Sequence, residues 1–197
     1  MRGILLSGGM DSIALAYWHR PEVAITIDYG QKAAATELSV AVEVARTLGM
    51  IHETIAIDCS ALGSGDMAGS EPLASAPATE WWPFRNQLLL TLAGMRAVAI
   101  GVSELMTGSV ASDGCHADGR QAFYTEIDVL MAGQEGGVRV SAPAIGMTTV
   151  DLVRTSGIPR EILAWSHSCH TGILACGDCR GCRKHFEVMG QLYGNAY

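Results

Sequence analysis

Apolar residues fall in short unbroken runs separated by segments of helical spacing, an alternation that predicts a parallel α/β sheet. Gly3-Ile4-Leu5-Leu6 reads as a buried strand, and Ile13-Ala14-Leu15-Ala16-Tyr17-Trp18 as the opening of the helix after it. Val23-Ala24-Ile25-Thr26-Ile27-Asp28 is a second buried strand with a polar end. From Ala33 to Leu48 the apolar residues Leu38, Val42, Ala45 and Leu48 keep helical spacing, and Gly49 is placed to cap that helix. Ile51 to Ile57 predicts the next strand. A βαβαβ order implies right-handed crossovers, with ligands at the carboxyl ends of the strands.

The 58–80 stretch is rich in Gly, Ser, Ala and Pro and has no period, so it reads as a long loop, either a mobile lid or a disordered insert. A helix is predicted from Arg85 to about Ile100, with Leu88, Leu92, Met95 and Ala99 on one face. Glu104 to Thr107 is a short strand, and a polar loop from Gly108 to Gly119 leads to a helix over Gln121 to Met131. Val138-Arg139-Val140 is a weak strand, and Thr149 to Ser156 a short helix before the break at Gly157 and Pro159. The expected fold is a Rossmann-like parallel sheet with helices on both faces. Residues 1–165 form the nucleotide-binding domain, and 166–197 a small four-cysteine segment on the same core.

Composition narrows the function classes. A chain of 197 residues, 49% hydrophobic, can bury a sizeable core. Its formal charge of −7 argues against a broad nucleic-acid surface, although a small basic pocket for a nucleotide remains compatible. No run has the length of a membrane span and the first residues enter a strand directly, so a cytoplasmic location is expected. There the six cysteines serve as thiols or metal ligands rather than disulfides.

Two patterns carry chemistry. Ser7-Gly8-Gly9-Met10-Asp11-Ser12 lies between a strand and a helix start, where glycines admit a phosphate close to the backbone and unpaired N–H groups face it. It lacks the Gly-Lys-Ser/Thr ending of a Walker A loop and looks like the pyrophosphate loop of enzymes that adenylate a carboxylate or carbonyl oxygen. Cys169, Cys176, Cys179 and Cys182 suit a closed tetrahedral zinc site, with an iron–sulfur cluster the alternative that spacing leaves open. His167, His170 and His185 lie near enough to substitute for a cysteine.

Weaker signals surround these. Asp28-Tyr29-Gly30-Gln31 ends the second strand, where nucleotide contacts fall in such sheets. Arg85 and Asn86 open a helix, where a guanidinium can meet phosphate or carboxylate. Trp81, Trp82 and Phe84 could stack on a planar heterocycle. Asp113, His116, Asp118 and Arg120 could read a purine-like edge.

With these residues in view, the chain resembles 7-cyano-7-deazaguanine synthase, of the PP-loop ATP pyrophosphatase superfamily. Ser7–Ser12 matches the pyrophosphate loop, Asp28–Gln31 the D-Y-G-Q motif, and Arg85-Asn86 the R-N pair. Gly108 to Arg120 takes the place of the G-Y-P-D-C-R loop, and Trp165-Ser166 with the four cysteines that of the zinc segment. The resemblance implies ATP, Mg²⁺ and a structural Zn²⁺, and suggests a homodimer. It also implies a reaction in which the acid of 7-carboxy-7-deazaguanine is adenylated and ammonia gives first the amide, then the nitrile. By likeness, Ser7, Asp11, Ser12 and Arg85 act on the reacting groups. Trp82, Phe84, Asp113, His116, Asp118 and Arg120 hold the substrate.

Some positions depart from that pattern. Where the family has P-L-x4-K-x-E, this chain has Pro143-Ala144, then Thr149 and Asp151, so the lysine is missing. At the substrate loop only Asp118 and Arg120 persist, and an upstream Asp is shifted to Asp113. Such changes suit a variant that stops at the amide or couples the acid to an amine of another protein. A tRNA-thiolating enzyme of the same superfamily and a relative without catalysis are the other readings.

Overall fold

The computed structural model describes residues 1–194. Its sheet contains β1 (Arg2–Leu5), β2 (Val23–Asp28), β3 (Ile51–Ala56), β4 (Glu104–Met106) and β5 (Arg139–Ser141). The order is β3-β2-β1-β4-β5, and every neighbouring pair is parallel. Around it lie α1 (Met10–His19), α2 (Ala34–Leu48), α3 (Gly65–Ala68), α4 (Arg85–Ile100), α5 (Gln121–Ala132), α6 (Thr149–Ser156), α7 (Arg160–Leu163) and α8 (Arg180–Tyr193). The expected α/β class and parallel sheet are present. Among the described residues no helix is long and apolar enough to cross a membrane.

Alternation along the central strands sorts the helices into two layers. Ile4 and Leu6, with Ala24, face a core built from α1, α2, α6 and α8. Val23, Ile25 and Ile27 face the opposite way, against Ala93 and Ala97 of α4, while Leu90, Tyr124 and Ile127 join α4 to α5. Successive strands are added in opposite senses on either side of the gap between β1 and β4, with β2 and β3 to one side and β5 to the other. That gap is the switch point at which α/β sheets open a crevice beyond their carboxyl ends.

Two regions differ from the sequence expectations. The 58–80 stretch contains a 3-10 turn at Ser60–Leu62 and the short α3, tied back where Asp66 N–H donates to Thr79 O at 2.8 Å. Local periodicity cannot reveal it, because Met67 and Trp82 are fixed by contacts with β2 and α4. The C-terminal segment, expected on the same core but without a helix, forms α8 with Cys182 in its first turn, and Val188 and Met189 of that helix pack with β1 and α1.

Candidate active site

The turn after β1 is built from its own residues. Gly8 has φ 74°, and a Cβ there would lie 2.9 Å from Glu37 O, so a side chain is excluded by both backbone angle and space. Ser12 Oγ donates to Gly9 O at 2.9 Å and lies 3.2 Å from Ser7 Oγ, which also accepts from Gly9 N–H at 3.4 Å. α1 starts at Met10 without a side-chain cap, which leaves its first N–H groups for another acceptor. Gly108, at the end of β4, presses on this turn: a Cβ would come within 2.8 Å of Ser12 N. His167 N–H donates to Gly8 O at 2.9 Å and clamps the turn from the C-terminal side.

The turn opens into a cavity of about 300 Å³ at the switch point. Of the residues singled out from sequence, Ser7, Gly9, Met10, Asp11, Ser12, Tyr29, Arg85, Asn86, Asp113, His116, His167 and His170 line it. Asp28, Gln31, Trp82, Phe84, Asp118 and Arg120 do not. Asp28 Oδ1 accepts from Gly30 N–H at 3.0 Å and Ser60 N–H at 2.9 Å, which ties β2 to the following turn. Gln31 accepts from Tyr29 N–H at 2.9 Å and donates to Glu37 Oε2 at 2.8 Å, holding both residues against the cavity. Trp82 is buried in the core with its ring edge-on to Tyr29 at 4.9 Å. Asp118 accepts from Asn86 N–H at 3.1 Å and Arg120 donates to Gly114 O at 2.9 Å. Phe84 takes a left-handed φ of 55° and is 75% exposed, so its ring points away from the site.

The cavity also holds groups for which the sequence offered little signal. Lys184 Nζ, from the first half of α8, lies 2.9 Å from Asp11 Oδ2 and 3.7 Å from Asp113 Oδ1. Arg180, at the start of α8, pairs with Glu80 and donates to Ser112 O at 3.3 Å. His116 Nε2 lies 3.1 Å from the same Glu80 carboxylate. Arg180 and Lys184 lie two residues before and after Cys182, inside and just past the cysteine segment, and only the tertiary structure brings Lys184 to the Ser7–Ser12 turn and Arg180 to Glu80.

Electrostatics follow from burial and these pairs. Burial pushes the Asp11 carboxyl upward, opposed by the Lys184 ammonium, while Asp113 nearby adds to the rise. Burial also raises Glu80, but hydrogen bonds from His116, its own backbone and Arg180 outweigh it and bring it down to about 2. Burial against Arg85 lowers His170 to about 4, so that imidazole is neutral at pH 7. Glu37 is raised by burial, with Gln31 and Arg85 pulling the other way.

The four cysteines converge beside this cavity. The sulfurs of Cys169, Cys176, Cys179 and Cys182 lie within 4.8 Å of one another and could hold a metal ion. Cys179 caps α8, its sulfur accepting from Cys182 N–H at 3.5 Å and from His170 N–H at 3.4 Å. Such N–H···S bonds favour a thiolate, but burial outweighs them at Cys179 and raises its thiol above the ordinary range. Hydrogen bonds from Thr171 and from the Cys179 and Asp178 N–H groups bring Cys176 down to about 6, whereas burial pushes Cys182 up to about 12. His167 and His170 turn to the cavity and stand outside the sulfur cluster.

Residues 3–189 match the family described as Queuosine biosynthesis protein QueC. This chain belongs to the QueC family. A 7-cyano-7-deazaguanine synthase of Acidobacterium capsulatum is 34% identical over 202 residues, covering 91% of this chain and 87% of that protein. The synthase of Desulforudis audaxviator is 33% identical over 210 residues, covering 93% and 94%. Among solved structures, the U34-tRNA thiolase NcsA from Methanococcus maripaludis, described with its 4Fe-4S cluster, aligns over 98% of this chain and 66% of its own. Its TM-score of 0.56 at 14% identity shows a shared fold. Membership of the QueC family thus agrees with the resemblance read from the motifs, and the relatives are synthases acting on a small molecule.

Proposed function

We propose that this protein adenylates the carboxylate of 7-carboxy-7-deazaguanine with ATP and passes the activated acyl group to ammonia. The observation that carries the reading is that the Ser7–Ser12 turn and Arg85 open into one cavity at the switch point of a QueC-family sheet. Its first-turn N–H groups and serine hydroxyls receive the nucleotide's phosphates. Arg85, whose charge is favoured by Tyr29, Asp118, Asp113 and Glu37 against the cost of burial, orients the substrate carboxylate. A carboxylate oxygen bonds to the α-phosphorus, the α–β anhydride breaks, and pyrophosphate leaves with the electron pair. Ammonia then adds to the acyl carbon, AMP departs with its oxygen, and the extra proton passes to solvent, leaving the amide. Activation of the amide oxygen by a second ATP, followed by loss of AMP and of the remaining nitrogen protons, gives the nitrile.

Asp11 Oδ1, buried without a hydrogen-bond partner, and Asp113 offer the hard oxygen donors that magnesium takes. The ion, when bound, neutralises phosphate charge. The sulfur cluster supports zinc. Four thiolates at about 2.3 Å from one ion stand about 3.8 Å apart, and Cys176 and Cys182 sulfurs lie 3.9 Å apart. A four-iron cluster, whose cysteines bind separate irons, needs wider spacing. With all four positions taken by sulfur, zinc has no open site and acts structurally, holding the start of α8.

The test is mass spectrometry of products from ATP, the deazapurine acid and ammonia, repeated with protein amines present. AMP, pyrophosphate and amide or nitrile are expected, and Asp11→Asn should lower turnover about 100-fold, the usual cost of one misplaced charge-stabilising group. ADP and phosphate as the only nucleotide products would sink the reading. A conjugate formed only with a protein amine would replace ammonia by that acceptor and leave the adenylation step standing.

A further inference from the structure

The phosphate-type turn contains no cation of its own, and ATP brings several negative charges to it. Among the described residues lining the cavity the fixed cations are Arg85, Arg180 and Lys184. Arg180 is held by Glu80, Ser112 O and Cys115 Sγ, and Arg85 Nη1 lies 2.9 Å from Met67 Sδ. Lys184 alone of these reaches the turn, through Asp11 Oδ2 at 2.9 Å. Its second carboxylate, Asp113, comes from the loop after β4 on the opposite side of the crevice. An ammonium bridging two carboxylates at the mouth of an anion cradle has a flexible stem and three rotatable donors. Thr149, the first residue of α6, faces the same Asp11 from another element and ends in a buried, uncharged hydroxyl.

We propose that Lys184, delivered by the helix that the cysteine cluster anchors, is the cation that faces the nucleotide's phosphates. It exchanges a carboxylate for phosphate oxygen when ATP enters, so that Asp11 and Asp113 are freed as oxygen donors. Cys182 and Cys179, two and five residues earlier, set where this ammonium stands. The inference rests on the adenylation reading for the identity of the second substrate, though not for nucleotide binding.

The experiment compares the metal-loaded wild type with Lys184→Met, Lys184→Arg and the double variant Thr149→Lys/Lys184→Met. Binding of a non-hydrolysable ATP analogue with magnesium is measured by calorimetry, pyrophosphate release with the deazapurine acid by coupled assay, and bound metal by elemental analysis. Lys184→Met is expected to weaken the analogue about tenfold or more and to lower kcat about 100-fold, with metal content unchanged. Lys184→Arg should keep most of the binding. The double variant, with its cation returned to Asp11 from α6, should recover about tenfold of the lost turnover. Lys184→Met binding the analogue and turning over within about twofold of wild type overturns the proposal. So does recovery in neither cation-bearing variant, which also decides the case if Lys184→Met sheds its metal or fails to fold. Analogue binding lost with Lys184 in an enzyme that releases no pyrophosphate from the deazapurine acid would sink the substrate reading and uphold the lysine. A wild type that does not bind the analogue ends both.

Discussion

Gly8 shows how much of the site depends on one backbone angle. Its φ of 74° turns the chain from β1 so that the start of α1 faces the crevice, and Glu37 O lies only 2.9 Å from where a Cβ would stand. A left-handed angle costs a non-glycine residue roughly 1–2 kcal/mol, and a contact at 2.9 Å adds strain. Gly8→Ala should therefore destabilise the protein by about 2 kcal/mol and weaken nucleotide binding, as read by urea midpoints and calorimetry; an unchanged midpoint would contradict this account. Lys184 is the opposite case. Nothing local marks it, since a basic residue on a helix is ordinarily solvated; its meaning comes from Asp11, 173 positions away. Trp82 and Phe84 illustrate the limit of residue type as a guide. Neighbouring aromatics that could stack on a base end one in the core and one in solvent, because the turn at Phe84 rotates the chain between them.

At the scale of elements, Glu80 holds three pieces of chain together. The 58–80 stretch ends on its carboxylate, which is clasped by His116 from the loop after β4 and by Arg180 from α8. Its carboxyl is lowered from the ordinary 4.5 to about 2, so the clasp contributes stability that is complete above about pH 4.5. As pH falls from there through about 2, the carboxylate gains a proton and that contribution is lost. Glu80→Gln should cost about 2 kcal/mol at pH 7, with the difference from wild type shrinking as unfolding is repeated at pH 4 and pH 3. A difference independent of pH would show that the carboxylate's charge is not what holds the segment. This clasp also explains why a stretch without period is ordered: its order comes from long-range polar contacts and from Met67 and Trp82 in the core, neither of which leaves a repeat in the sequence.

Across the whole molecule, the cysteine cluster and the Ser7–Ser12 turn are joined through α8, which Cys179 caps and whose Lys184 pairs with Asp11. Four sulfurs within 4.8 Å cannot all ionise without a cation, and Cys182, pushed up to about 12 by burial, would keep its proton. Metal binding must release protons, so a chelator should strip the zinc faster at pH 6 than at pH 8. Elemental analysis should find one zinc per chain without acid-labile sulfide. Removing it should lower Tm and loosen α8, raising hydrogen exchange at Arg180–Lys184; iron with sulfide, or an unchanged Tm, would reverse the assignment. Most of this molecule's frame was legible in its residues: the parallel α/β class, the turn between β1 and α1, the start of α4 and a gathering of four cysteines that could hold a metal all follow from spacing, glycine placement and side-chain chemistry. These are local patterns, set by the period of a strand or helix and by what a tight turn admits. The choice among the polar residues of the site belongs to the tertiary structure alone. It turned Asp28, Gln31 and Asp118 into braces, and brought Glu80, Arg180 and Lys184 to the crevice. Charges far apart in the chain meet only where the sheet changes direction and α8 returns to it, a closeness that no local spacing encodes.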